Sequence, residues 1–140
     1  MQLLELFNKT VPVRWLDTGS YDVMASFTTP NGQLINVDFE AASEDSYEIS
    51  FAADTDTDDP ESRYELTGLG EQYVILGTVL TAIRQFFHDR PHVNEVTFSA
   101  KGGNRAQVYE RMIHRAFPHF EIDKHIASGL TYFTITRNGS

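Results

Sequence analysis

The sequence predicts an α/β (α+β) domain built on one mixed, mostly antiparallel sheet that contains a splayed parallel pair, with helices on both faces. Short runs of alternating apolar and polar residues fill the first half of the chain, as is typical of antiparallel strands. The period becomes helical over residues 71–89, where Leu76, Leu80 and Ile83 lie on one stripe. A strand on each side of this helix requires a crossover connection, which makes those two strands parallel.

Length and composition fit a single domain spanning residues 1–140, because this chain length suits one hydrophobic core. The chain contains no cysteine, which excludes disulfides and thiolate zinc sites. The start of the sequence has no basic flank or cleavage site of a secretory signal. The longest nearly apolar run, residues 73–83, is shorter than the roughly 20 residues that span a bilayer. We therefore expect a cytoplasmic protein without membrane contact.

The net charge of −9 argues against a nucleic acid partner, because phosphate backbones bind to broad basic surfaces. The charge is uneven along the chain: most of the Lys and Arg residues lie in the second half, and the first half is strongly acidic. The acidic charge alone also allows the hypothesis that the protein mimics DNA.

The first element is a short helix in which Leu3, Leu4 and Phe7 share one face, and Pro12 ends it. The chain then passes Trp15 as an extended connection. Strands 21–27 and 33–40 follow as a hairpin, because the turn between them contains Asn31 and Gly32, which accept positive φ.

The second half alternates between strands and helices. An acidic polar loop at 54–62 precedes a short strand at 64–67, and Pro91 ends the helix at 71–89. The predicted elements from the third strand onward are strand 46–51, strand 64–67, helix 71–89, strand 95–100, a helix carrying Tyr109, and strands 120–126 and 131–135. The crossover is expected to join strand 64–67 to strand 95–100.

Two glycines lie between the strand at 64–67 and the following helix. Gly68 and Gly70 would expose backbone N–H groups at a helix N-terminus, where a phosphate or diphosphate binds. A tight turn explains the same glycines without a ligand. The pattern is neither a dinucleotide fingerprint, since Tyr73 occupies the third glycine position, nor a P-loop, since no Gly-Lys-Ser/Thr follows.

The order of elements, this glycine loop and the run Val108-Tyr109-Glu110-Arg111 resemble the GCN5-related N-acetyltransferases (GNAT), and small phage-encoded members in particular. The resemblance implies that acetyl-CoA binds in the splay between the parallel strands and donates an acetyl group to an amine on a small molecule or a protein. It implies that Tyr109 is the acid that protonates the departing thiolate. The residues that it places around the coenzyme diphosphate are Gly68, Leu69, Gly70, Glu71 and Gln72, with Arg105 as a further source of positive charge.

The amine acceptor needs a base, and carboxylates on neighbouring strands are the candidates. Asp38 and Glu40 share one strand face, with Glu48 and Glu65 as further candidates. Glu40 is taken as the base together with Tyr109 as the acid, although each carboxylate also has the simpler interpretation of a solvated strand residue.

Two loop carboxylates favour a second hypothesis. Glu65 stands where the resembled family has Gln or Arg, and Glu71 adds a negative charge close to the expected phosphates. The chain would then be a GNAT-shaped phage protein that has lost the coenzyme and binds a host protein in the host cytoplasm. The sequence leaves the oligomeric state open.

A metal site is not predicted. Asp54, Asp56, Asp58 and Glu65 have the spacing of a calcium loop, but Asp59 replaces the glycine that such loops need, and strands flank the segment. His88 and His92 are four residues apart, but Pro91 breaks the helix between them, and the other three histidines lack metal-ligand spacing.

Overall fold

The computed structural model describes residues 10–17, 22–53, 69–101 and 103–137. The elements in these residues are strands β1 (Arg14–Asp17), β2 (Val23–Thr28), β3 (Leu34–Ala41) and β4 (Ser46–Ala53), helix α1 (Leu69–Asp89), strand β5 (Glu95–Lys101), helix α2 (Gly103–Ala116), and strands β6 (Glu121–Ala127) and β7 (Leu130–Thr136). The predicted N-terminal helix, the acidic loop at 54–62 and the strand at 64–67 lie outside the described residues.

The described strands form one sheet in the order β1-β2-β3-β4-β5-β7-β6. Every neighbouring pair is antiparallel except β4 and β5, which are parallel. The predicted fold class, a mixed and mostly antiparallel sheet with one parallel pair, is confirmed. Neither α1 nor α2 combines the length and the apolar character that a bilayer crossing requires.

The parallel partner of β5 differs from the prediction. The sequence pattern paired β5 with residues 64–67, whereas the structure places Ser46 opposite Glu95 and Ile49 opposite Phe98. The crossover therefore starts at the end of β4 and includes the whole segment from residue 54 to α1. The error arose because alternation identifies strands but does not say which strand pairs with which.

The first strand was also missed. The residues around Trp15 were expected to be an extended connection, but β1 pairs with β2 along its length, from Arg14 opposite Ser26 to Asp17 opposite Val23. Trp15 explains this, because its ring lies 5.4 Å from that of Phe39 and so holds the edge strand against the core.

One face of the sheet carries the apolar core. Phe39 on β3, Ile49 on β4 and Phe98 on β5 are buried, and the residues between them along each strand point to the other face. Phe86 of α1 stacks on Phe39 with 4.5 Å between ring centroids. Tyr109 of α2 lies 6.5 Å from Phe98 on the same face.

Both described helices therefore cover one face of the sheet, and the predicted N-terminal helix lies outside the described residues. The buried side chains of β2, β3, β4, β5 and β7 share this side, which gives the two helices an apolar surface to cover. On the opposite side the central strand β4 presents Glu48 and Ser50, which are exposed.

Candidate functional site

The parallel pair β4–β5 is closed at one end and open at the other. Its pairing ends where Ile49 lies opposite Phe98. β4 continues to Ala53 on its other neighbour β3, and β5 continues to Lys101 on its other neighbour β7. The two strands therefore part beyond this point. We call the space between residues 50–53 of β4 and 99–101 of β5 the β4–β5 opening.

Hydrogen bonds hold the closed end together. The carbonyl of Asp45, just before β4, accepts from the backbone N–H of Asn94 at 2.8 Å and of Glu95 at 3.2 Å. The Asn94 amide donates to the Asp45 carboxylate at 3.1 Å. Donation from the Ser43 hydroxyl, and then from Asn94, lowers the pKa of the Asp45 carboxyl from its usual value. These bonds fix the end of the pair from which the strands diverge.

Arg137 strengthens the same end. Its backbone N–H donates to the Asn94 carbonyl at 2.7 Å. Its guanidinium donates to the carbonyls of Phe87 at 2.7 Å and Val93 at 3.1 Å, and lies 5.0 Å from the centre of the Phe87 ring. Phe87 is in the last turn of α1, where a cation that donates to the carbonyl stabilises the helix C-terminus. The C-terminal end of α1 is thereby placed at the closed end of the strand pair.

The opposite end of α1 points toward the opening, because the helix runs back against β4. Near its end, Phe86 contacts Tyr47 at the closed end, with 4.8 Å between ring centroids. Residues 69–72, four of the five predicted diphosphate-binding residues, form the first turn of α1, and Gly68 lies outside the described residues. The N–H groups of a first turn have no partner within the helix and carry partial positive charge.

Helix α2 has its N-terminus at the same end. It begins at Gly103, close after β5 ends at Lys101 beside the opening. Arg105 is in its first turn, which contains no acidic residue. Two helix N-termini therefore share the end of the molecule where β4 and β5 part. This arrangement favours an anionic group at that end.

Tyr109 lies on α2 with its ring against the start of the opening. The ring centroids of Tyr109 and Phe51 are 6.4 Å apart, those of Tyr109 and Phe98 are 6.5 Å apart, and Phe51 lies 6.3 Å from Phe98. Tyr109 is 3% exposed. The ring of Tyr109 is therefore held in an aromatic cluster beside the start of the opening.

Glu40 lies elsewhere. It is exposed on the sheet face opposite to α2, and its register partner is Glu48 in the closed part of β4. The structure does not bring Glu40 and Tyr109 together. Asp38 is closer to the opening in register, because it lies opposite Ser50, the first residue of β4 beyond the parallel pairing.

Sequence reasoning did not identify Phe51 and Phe98 as residues of the site. Alternation placed both on the apolar sides of their strands, which was the available signal. Their place beside Tyr109 follows from the pairing of β4 with β5, which was assigned to another strand.

The described residues contain no group of three or more His, Asp or Glu side chains that could hold a metal ion. The segment with calcium-loop spacing lies outside these residues.

Comparison with solved structures identifies an acetyltransferase as a similar protein. No family model matches the chain, and no curated protein sequence matches it. The chain is similar to the N-acetyltransferase PseH of Campylobacter jejuni with a TM-score of 0.47 and 16% identity, over 85% of this chain and 70% of that chain. A structure of PseH in complex with acetyl coenzyme A matches with the same values. A likeness at this level carries no argument about activity, which must be made from the site itself.

Proposed function

We propose that this protein is an acyl-CoA-dependent N-acyltransferase that acetylates an amine on a small molecule or a protein. The observation that carries the proposal is the opening of the parallel pair β4–β5, with Tyr109 packed beside its start. An extended thioester arm fits between two parting strands. The helix N-termini at the same end suit the diphosphate of the coenzyme.

Each chemical demand of the transfer has a candidate group in the chain. Acetyl-CoA would supply the acetyl group as a thioester. Backbone N–H groups along the parting strands would polarise the thioester carbonyl. As the amine nitrogen bonds to that carbon, the C–S bond breaks and the Tyr109 hydroxyl donates its proton to the leaving sulfur. The amine loses a proton to a base, for which Glu40 is the first candidate and Asp38 the one nearer the opening in register.

The diphosphate would meet the first turn of α1. Residues 69–72 would hold it through backbone N–H groups together with Gly68, and Arg105 at the start of α2 would add positive charge. Glu71 in the same turn opposes this binding by its charge.

A second candidate function follows from Glu71 and Glu65. Two carboxylates at a diphosphate loop suit a protein with the same fold that no longer uses the coenzyme and instead binds another protein, such as the host protein of a phage-encoded chain. This function needs no chemistry at the β4–β5 opening.

Titration calorimetry with acetyl-CoA separates the two functions. The transferase proposal expects dissociation constants from micromolar to submillimolar, with free coenzyme A competing because it shares the diphosphate and the arm. Absence of heat at millimolar acetyl-CoA would overturn the transferase proposal and leave the binding function.

A further inference from the structure

Among the described residues, nothing covers the centre of the sheet face that points away from α1 and α2. Glu48 and Ser50 lie on β4, the fourth of the seven described strands, and both are exposed. A residue at the centre of a sheet stays exposed only where nothing packs over it. This face carries hydroxyl-bearing and acidic side chains, and the Thr97 and Thr134 hydroxyls at its middle bond to each other at 3.1 Å.

Carboxylates dominate one half of this open face. Strand register places two rows of side chains across it: one runs from Glu40 through Glu48 and across β5 and β7 to Asp123, and the next from Ser46 through Glu95 to Glu121. We call the carboxylates of these rows, with the neighbouring Asp38, the acidic face: its residues are Asp38, Glu40, Glu48, Glu95, Glu121 and Asp123.

The acidic face lacks compensating positive charge among the described side chains. None of its six carboxylates forms an ion pair with a described residue, and the two rows contain no Lys or Arg. Arg14 points to the same side but from β1, at the edge of the sheet. Glu40 and Glu48 are direct cross-strand partners, an arrangement of like charges that destabilises the free protein.

We propose that the acidic face docks a Lys/Arg-rich segment of a protein partner. Cationic side chains would relieve the repulsion between Glu40 and Glu48 and pair with the other carboxylates of the face. A second copy of this chain is disfavoured, because two acidic faces repel each other. A chelated cation does not fit either, since no three of these carboxylates converge.

This surface is separate from the proposed coenzyme site, because it lies on the side of the sheet opposite to Tyr109, although it includes Glu40 and Asp38, the candidate bases of the proposed transfer. Loss of acetyl-CoA binding and loss of basic-peptide binding are therefore separate results. Either can occur without the other.

Binding of fluorescein-labelled deca-lysine to the full chain tests the proposal by fluorescence anisotropy. We expect the double change Glu40→Gln/Glu48→Gln to weaken binding about tenfold, because a locally concentrated charge is lost. The matched double change Asp89→Asn/Glu110→Gln removes the same charge from the helical side and should alter binding less than about twofold. Equal weakening by both would show a net-charge effect and overturn the proposal, as would absence of binding at low salt.

Carbodiimide cross-linking of deca-lysine, followed by mass spectrometry, locates the contact. We expect cross-links at residues 38–48 and 95. Cross-links confined to residues 54–65 would overturn the proposal, because none of these residues belongs to the acidic face. A dimer in the absence of peptide that Glu40→Gln/Glu48→Gln dissociates would also overturn it, since the face would then be an interface between copies.

Discussion

Tyr109 packs its ring against Phe51 and Phe98, and the change Tyr109→Phe keeps these ring contacts. We predict that Tyr109→Phe keeps the fold and the affinity for acetyl-CoA but lowers kcat by about 100-fold, at the low end of what a general acid contributes. Steady-state kinetics with an amine acceptor and calorimetry with acetyl-CoA measure the two effects.

Tyr132→Phe is the matched control for this change. Tyr132 is partly buried on the opposite face and pairs with Ser99 in register. Its loss of a hydroxyl should leave kcat unchanged. If Tyr109→Phe also left kcat unchanged, Tyr109 would have no part in the chemistry.

Removing the charge of Glu71 is expected to strengthen coenzyme binding and to weaken helix α1. This residue belongs to the first turn of α1, where a carboxylate stabilises the helix but repels a bound diphosphate. Two like unit charges about 4 Å apart in water repel each other by roughly 1 kcal/mol. We therefore predict that Glu71→Gln, which removes this repulsion, tightens acetyl-CoA binding about fivefold. The melting temperature should fall slightly, because about 0.3–1 kcal/mol of dipole interaction is lost.

Calorimetry and a thermal melt measure these two quantities. Glu44→Gln in the turn before β4 makes the same charge change away from α1 and should leave the affinity unchanged. Weaker acetyl-CoA binding by Glu71→Gln would remove residues 69–72 from the proposed diphosphate site.

The positions of single residues were predictable where they depend on local sequence. Tyr109 was singled out from the sequence, and the structure sets its ring beside the opening, while its chemical role stays a prediction. The helix was expected to begin at residue 71 after a glycine turn, and it begins two residues earlier, at Leu69. Phe51 was not identified, because its neighbours come from β5 and α2, and no local pattern reports such contacts.

At the scale of elements, the closed end of the β4–β5 pair depends on Asp45. The hydroxyl of Ser43 and the amide of Asn94 lower the pKa of the Asp45 carboxyl below its usual 3.8. A carboxyl with a lowered folded-state pKa stabilises the protein above the unfolded-state pKa and loses that effect as the pH falls through the folded-state value.

We therefore predict that Asp45→Ala lowers the melting temperature at pH 7, and that the difference from the parent protein shrinks as the pH falls below 3.8. Melting curves by circular dichroism across this pH range measure it. Glu44→Ala in the same turn serves as the control and should give a small difference at every pH. A difference for Asp45→Ala that stays constant with pH would contradict a role for its charge.

Elements were predicted well wherever alternation or helical period is continuous. The hairpin of β2 and β3, helix α1 and the closing strands β6 and β7 all lie close to their expected bounds. The parallel pairing was assigned to the wrong strand, because it joins residues nearly fifty positions apart. No turn chemistry marks such a contact, unlike the Asn31-Gly32 turn of the hairpin.

At the scale of the whole molecule, the apolar core and the acidic face lie on opposite sides of the sheet. The buried strand residues that the structure describes lie on the side of α1 and α2, so we expect substitutions on the acidic face to act through charge and cross-strand contacts. We predict that Glu40→Lys raises the free energy of unfolding by about 0.2–1 kcal/mol, because a like-charge pair with Glu48 becomes an opposite-charge pair. Urea denaturation measures the change.

Asp123→Lys is the control, since it makes the same charge change on the same face opposite Thr134 rather than opposite a carboxylate. It should give a smaller gain. Equal gains from both would mean that the relief of overall negative charge, and not the Glu40–Glu48 contact, sets the stability of this face.

The parting of β4 and β5 also gives the sheet two inner margins in addition to its outer strands β1 and β6. An outer margin can recruit the strand of a foreign chain and so risks aggregation. The two inner margins face each other across the β4–β5 opening, whereas an outer margin faces solvent. A coenzyme arm bound as proposed would therefore meet main-chain groups of two strands of the same sheet, away from the margins at which another protein could add a strand.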